Sequence, residues 1–229
     1  DGDDSATDVV IQPDGRIVVG GTADRDTGSD FAVVRLLQDG TTDAAFNLTG
    51  KVTVAFDLAA SSSDVDVLQR MKLDDQGRIL LGGSVDNGPG SFDFAIARLL
   101  PNGQLDNNFD ADGRATVAFD LGATNVDQLV SMTVQRDGRI VAIGPAALPG
   151  GSNNNDFAVV RWLPDGTPDP GFGIGGKTIV PFDFTADGAD LGLSVIEEPN
   201  GRLLLAGGVT WDLPNSALAA ALARLHPGR

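Results

Sequence analysis

The chain is a succession of short apolar runs divided by turn-forming residues. In its second quarter the runs are Val67 to Leu73, Arg78 to Ser84, Phe92 to Leu100 and Arg114 to Phe119. Runs of this length bounded by Gly, Asp, Asn and Pro read as β-strands, lettered A to D here in chain order. A tight Asp/Asn-Gly turn joins A to B, the type whose twist suits antiparallel neighbours. Strand B, Ile17-Val18-Val19-Gly20-Gly21 and its equivalents, is apolar on both faces, which predicts burial between neighbouring sheets. Its paired glycines predict close backbone approach. Strand C alternates, with Phe31, Val33 and Arg35 on one side and Ala32, Val34 and Leu36 on the other. The alternation predicts one core face and one face carrying an arginine.

This pattern is written four times. The turn Asp14-Gly15-Arg16 returns as Gln76-Gly77-Arg78, Asp137-Gly138-Arg139 and Asn200-Gly201-Arg202, its glycines 61 to 63 residues apart. Arg35-Leu36 returns as Arg98-Leu99, Arg161-Trp162 and Arg224-Leu225 in steps of 63. A period of this length holding four short strands predicts an all-β chain folded as a β-propeller. The expected arrangement is four blades within a single domain, near residues 4–57, 66–120, 127–183 and 190–229. Each blade has four antiparallel strands except the last, which lacks strand D. That missing strand leaves open whether four blades close a ring or belong to a larger one. The open sheet edge also makes a homodimer through that edge an expectation.

Val9-Val10-Ile11-Gln12-Pro13-Asp14-Gly15-Arg16-Ile17-Val18-Val19-Gly20-Gly21 is followed by Asp30-Phe31-Ala32-Val33-Val34-Arg35-Leu36 and then by Asp39-Gly40, Asp43, Phe46 and Gly50-Lys51-Val52. This combination resembles the delta-60 repeat of bacterial β-propeller proteins, and the resemblance covers nearly the whole chain. It implies a propeller, commonly in secreted or surface-attached bacterial proteins, with no general biochemical activity attached. An extracellular or cell-surface location is expected on that basis. The fourth copy departs most, with Ala219-Ala220 where the others have Asp-Phe.

Charge narrows the partners. The net charge is −16, from 30 Asp and two Glu against 13 Arg and three Lys, which excludes a phosphate backbone as the natural ligand. Aspartate shapes turns and also ligates hard cations such as calcium. With no cysteine there is neither a disulfide framework nor a thiolate site. No apolar run approaches the roughly 18 residues of a membrane span.

In an up-and-down blade the B–C and D–A connections emerge on one face. That face gathers Asp24, Asp26, Asp57, Asp64, Asp66, Asp86, Asp120, Asp127 and further acids, with Arg25 the sole base. Such one-sided charge favours a cation or a cationic group. Asp4, Asp66, Asp127 and Asp190 occupy the same place in the four copies and are candidates for an inward ring of metal ligands, or for caps on the D–A turns. Asn108-Phe109-Asp110-Ala111-Asp112-Gly113 matches the start of a calcium loop, making Asn108, Asp110 and Asp112 candidate Ca2+ ligands. Phe119 stands where the closing Glu of such a loop belongs. Asp30, Asp93 and Asp156 before strand C, with Asp57, Asp120 and Asp183 after strand D, read with the strand C arginines either as a recognition surface or, because they recur in each copy, as Asp–Arg clamps that fix loops and strand ends.

The B–C loops vary most, and varied loops on a regular scaffold are where specificity resides. Trp211 beside Asp212, together with Asn153, Asn154 and Asn155, forms a candidate ligand site suited to a sugar ring. His226 is the only histidine, so a Ser-His-Asp triad has almost no material. Glu197 and Glu198 are adjacent on strand A, point to opposite sides and make a poor acid/base pair. The expected function is a non-catalytic secreted or surface module for binding, adhesion or structure, stabilised by Ca2+ and recognising a protein or carbohydrate. The alternatives are a metal-dependent propeller hydrolase of lactonase or phosphoesterase type and a carbohydrate-binding lectin.

Overall fold

The computed structural model describes residues 2–58, 64–88, 90–121, 126–149, 154–182, 188–212 and 217–226. Among them there are fifteen β-strands and no helix. The first blade contains β1 (Ser5–Ile11), β2 (Ile17–Arg25), β3 (Gly28–Leu36) and β4 (Lys51–Val54). The second contains β5 (Asp64–Leu73), β6 (Ile79–Gly88), β7 (Ser91–Leu99) and β8 (Arg114–Val117). In the third are β9 (Ser131–Val134), β10 (Ile140–Ala147), β11 (Asn155–Trp162) and β12 (Lys177–Val180); in the last are β13 (Asp190–Glu197), β14 (Leu203–Asp212) and β15 (Ala217–Leu225). The protein is an all-β propeller of four such blades, each an antiparallel meander. By its internal contacts the chain divides into two compact units, Asp1–Pro89 with Phe94–Thr116, and Gly90–Asp93 with Val117–Arg229.

Consecutive strands pair in order, as the tight turns predicted. The first two meanders join into one sheet because β3 and β5 run parallel for two residues, Gly28 beside Asp64 and Ser29 beside Val65. The B and C strands extend further than their apolar residues suggested. β2 and β3 stay in register out to Arg25 opposite Gly28, so Asp26 and Thr27 alone form the turn. The first B–C loop is therefore a hairpin tip whose polar residues lie beyond the core. Strand A carries an irregularity at one place in three blades, between Ala6 and Asp8, Leu68 and Arg70, and Gly192 and Ser194. Extra residues of this kind bend and twist a strand locally.

The paired glycines of strand B do what their sequence predicts. A Cβ on Gly83 would lie 2.1 Å from the Val67 carbonyl oxygen and 2.6 Å from the Phe31 ring of the preceding blade. One on Gly207 would meet the Leu191 carbonyl at 2.0 Å and the Phe157 ring at 2.5 Å. Each of these glycines is thus the floor on which a phenylalanine of the neighbouring blade rests. Phe31 packs edge-on to Phe56, and Phe157 packs against Phe182. Around them Val18, Val33, Leu68, Met71 and Leu81 form one core, and Val141, Val159, Val195, Leu203 and Leu205 another.

The strand C arginine differs from expectation in face and in partner. Phe31, Val33 and Arg35 are buried together, whereas Ala32, Val34 and Leu36 are half-buried, so the arginine lies on the more buried face. Its partner is not the acid before the strand, five residues away along an extended chain, but the acid of the C–D loop. Arg35 donates to Asp43 at 2.9 Å, Arg98 to Asp106 at 2.8 Å and Arg161 to Asp169 at 2.8 Å. Each guanidinium also stacks on the next loop phenylalanine, 4.7 Å from Phe46, 4.5 Å from Phe109 and 4.6 Å from Phe172. The arginine of the A–B turn reaches the same carboxylate, Arg16 at 2.9 Å, Arg78 at 3.7 Å and Arg139 at 2.9 Å. Burial pushes each of these carboxyls up, but the Ala45, Asn108 and Gly171 amides and the guanidinium groups outweigh it and leave Asp43, Asp106 and Asp169 below their ordinary value. A clamp of two arginines, one aspartate and one phenylalanine therefore locks the C–D loop in three blades. In the fourth, Arg224 pairs with Glu198 instead.

Two changes test these devices. Gly83→Ala forces backbone apart and is expected to cost about 3 kcal/mol or more, while Gly208→Ala, where a Cβ meets nothing within 4 Å, stays near neutral in urea melts. Asp106→Ala leaves Arg98 buried with its ion-pair partner removed and should cost about 3–5 kcal/mol by the same measurement.

Candidate functional site

The parallel contact between β3 and β5 brings the beginnings of two blades together and crowds their acids. Asp30 lies near the start of β3, Asp64 and Asp66 share one side of β5, and Asp86 lies toward the end of β6; all four are buried. Asp57 follows β4 in a left-handed conformation at φ 49° and acts electrostatically on Asp30, Asp64 and Asp66. Arg25, at the end of β2, forms an ion pair with Asp30.

Part of this arrangement recurs and is structural. Asp66 accepts the backbone N–H of Phe56 at 2.8 Å, Asp127 that of Phe119 at 2.7 Å and Asp190 that of Phe182 at 2.9 Å. Each bond ties the end of one blade to the beginning of the next. Asp4, the fourth member of the expected ring, is exposed and accepts the Asp24 amide at 3.1 Å.

Asp64 is particular to one copy. At the same place the other copies have Gly2, Asn125 and Gly188. Both of its carboxylate oxygens are buried and meet no N–H or hydroxyl donor among the described residues, the Asp57 carboxyl being the side chain within hydrogen-bond reach, and Oδ1 of Asp66 is likewise without a donor. An unpartnered buried acceptor is costly, and a group that bears that cost awaits a donor. Burial pushes the Asp64 carboxyl up, with Asp57 and Asp86 adding to the rise and Arg25 opposing it. Burial likewise raises Asp30 against the pull of Arg25. For Asp66 burial outweighs the Phe56 amide, and the charges of Asp64, Asp30 and Asp57 carry it to about 7. Asp127, buried with Asp93 nearby, is raised to about 6. Asp64 belonged to the acidic rim in sequence but was not singled out; its departure from the repeat was the signal that could have found it.

The other sequence candidates are dispersed. Asn108 donates to Asp106 at 3.3 Å, and Asp112 accepts the Arg114 amide at 2.9 Å. Asp110, left-handed at φ 44°, and Asp112 line a groove of about 270 Å3 with Phe56, Leu58, Arg114 and Thr116. Sixty-three residues on, the same groove recurs at about 410 Å3, lined by Phe119, Leu121, Gly173, Ile174, Lys177 and Ile179, with its acids replaced. Among the described residues no group of three or more His, Asp or Glu is arranged to hold a metal ion. Asn154 donates to the Pro149 carbonyl at 2.8 Å and Asn155 begins β11. Asn153 and the side chains of Trp211 and Asp212 lie outside the described residues. Glu197 accepts from Gln135 and from the Arg136 amide, joining two blades.

A family model described as a β-propeller domain of unknown function (DUF5122) matches residues 12–46, 77–109 and 135–172, which supports a β-propeller family. No curated protein sequence matches. Among solved structures, the chain is similar to an α-L-arabinanase from Cellvibrio cellulosa at 12% identity, over 99% of this chain and 75% of that one, with a TM-score of 0.44. It is also similar to a mannose phosphorylase from Leishmania mexicana, at 12% identity over 97% and 63% with a TM-score of 0.42. A GH43 endo-arabinanase from Bacillus licheniformis shows 13% identity over 95% and 92% with a TM-score of 0.29. Each of these three is an enzyme, so the expectation of a non-catalytic binding, adhesion or structural module finds no support among them; the likeness itself extends to the fold alone.

The raised carboxyls fix a sign for the pH dependence. Between the ordinary value of 3.8 and about 7 the folded chain holds a proton on Asp66 that the unfolded chain releases, so this group's contribution to stability falls as pH rises through that window. Asp66→Asn keeps an acceptor for the Phe56 amide and removes the ionisation. In calorimetry the variant should melt close to the unmodified protein at pH 4 and progressively above it toward pH 8; a constant difference would contradict the assignment.

Proposed function

We propose that the chain is a carbohydrate-active propeller, of the delta-60 type by its repeat, which binds and cleaves a glycan at the acidic recess around Asp64 and works outside a bacterial cell. The observation that carries this reading is the buried Asp64 carboxyl, which meets no N–H or hydroxyl donor among the described residues and has the Asp57 carboxyl within hydrogen-bond reach, at a place where no other copy has an acid. A carboxyl so placed, pushed toward its protonated form by burial and by Asp57, can donate its O–H to an oxygen of a sugar.

Glycosidic cleavage uses one carboxyl that holds a proton and one carboxylate that keeps its charge. Asp64, raised by burial and by Asp57, suits the first role and gives its proton to the departing oxygen. Asp30, paired with Arg25, suits the second and draws a proton from the water that adds to the sugar carbon. Asp66 has no exposed surface and acts as a positioning residue behind Asp64, to whose charge it is coupled.

The test is incubation with arabinan oligosaccharides, mannose-containing glycans and other polysaccharides, reading the release of new reducing ends. Asp64→Asn and Asp30→Asn should each lower kcat on the order of a hundredfold or more with the melt unchanged, while Asp75→Asn in an exposed A–B turn has no effect. Binding without release, lost in Asp64→Asn, would replace cleavage by a lectin role. Neither binding nor release across the panel would sink the proposal.

A further inference from the structure

The third copy rebuilds the end of its C–D loop. In the first two copies a residue other than glycine holds the left-handed conformation at the loop tip, Leu48 at φ 65° and Ala111 at φ 70°. Ile174 stands at that place in the third copy and does not adopt it; Gly175 at φ 61° and Gly176 at φ 83° are the left-handed pair instead. Two successive residues of that kind close a tight hairpin. Accordingly the Ile174 amide donates to the Lys177 carbonyl at 2.9 Å, and the Lys177 amide donates back at 3.2 Å. Gly173 admits the turn, since a Cβ there would lie 1.9 Å from the Lys177 carbonyl oxygen.

Residues paired directly across a hairpin share a face, so the rebuilt loop stands Ile174 beside Lys177. Ile179 follows Lys177 on the same side of β12, while Val180 on the other side packs against the core. With Phe119 and Leu121 from the end of the second blade, these side chains enclose the groove of about 410 Å3. Every residue that lines it belongs to one compact unit. Ile174, at 88% exposed, forms its outer wall and meets little of the protein. A hollow of this size, apolar on most sides and holding one charged group, has the composition of a small-molecule site.

Charge selects the ligand. One copy earlier the equivalent groove holds Asp110 and Asp112 beside Arg114. Gly173 and Gly175 replace both acids in the third copy, and Lys177 keeps the cation. Its Nζ donates to the Ala118 carbonyl at 2.6 Å and lies 5.5 Å from the centre of the Phe119 ring. That bond uses one of three N–H groups. Among the described residues no carboxylate pairs with this ammonium, in a chain whose net charge is −16.

We propose that this groove binds a small carboxylate with an apolar body, the body lying between Ile174 and Leu121 and the carboxylate accepting from Lys177. The site uses none of the residues of the acidic recess and stands independently of the glycan reading.

The test follows the methyl NMR signals of Leu121, Ile174 and Ile179 during titration with 3-phenylpropanoate. Binding should show a Kd on the order of 1 mM, and the neutral 3-phenylpropanol should bind about tenfold more weakly. Lys177→Met keeps the aliphatic stem and should bring the acid down to the affinity of the alcohol, whereas Ile174→Ser should weaken both several-fold. Leu48→Ser, at the equivalent tip of the first copy, and Asp64→Asn, in the acidic recess, should change neither. The comparison of acid with alcohol on the unmodified protein needs no variant to fold. Acid and alcohol bound alike, binding that moves other signals and leaves these three methyl groups still, or no binding at about 10 mM would each overturn the proposal.

Discussion

A phenylalanine ring resting on a glycine of the next sheet is the contact on which this molecule depends. Phe31 lies on Gly83 and Phe157 on Gly207, so close that no side chain could be added at either glycine without moving backbone. Two sheets approach this closely only where one strand presents a bare backbone, and the glycine bears the entropic cost of ordering a residue without a side chain. The return is a ring buried on all sides, with the aliphatic cores around it. The strand A irregularities, the Phe–Phe contacts and the carboxylates that hold each Phe amide all serve to place that ring.

At the other end of strand C a second device relies on charge. The strand C arginine is buried, and burial of a charge is tolerated only when it is paired and its donors are used. Asp43, Asp106 and Asp169 supply the pairing, a phenylalanine supplies a face for the cation, and the turn arginine shares the same carboxylate. The Gly-Arg of the repeated turn and the distant loop aspartate are thus parts of one clamp. It satisfies the C–D loop without help from solvent, and so lets short D strands of four residues suffice.

The acidic recess has the opposite character. Asp30, Asp64, Asp66 and Asp86 are buried together with Arg25 as their nearby base, and desolvation, with the charges of Asp64, Asp30 and Asp57, raises Asp66 to about 7. Elsewhere in the molecule an aspartate at a blade junction satisfies a backbone amide and is explained by it. Asp64 satisfies no backbone amide among the described residues and faces another carboxyl, that of Asp57. A cost carried by one copy, at a place where the others have glycine or asparagine, is the kind of local inconsistency that marks a site.

Much of the architecture was legible in the sequence, because a propeller blade is specified locally: alternation, Asp-Gly turns and paired glycines recur every 61 to 63 residues, and each copy reports on the others. The strand order, the tight A–B turns and the close approach at the glycines followed from that pattern alone. The partner of the strand C arginine did not, since sequence proximity pointed to Asp30, and only the return of the loop brought Asp43 to it. Nor did the recess, because Asp30, Asp64 and Asp86 are scattered along the chain and meet only through the parallel contact of β3 with β5. Periodicity records which way a side chain points along its own strand; which charges end up buried beside one another, and which are left without a donor, is decided by how one sheet lies against the next.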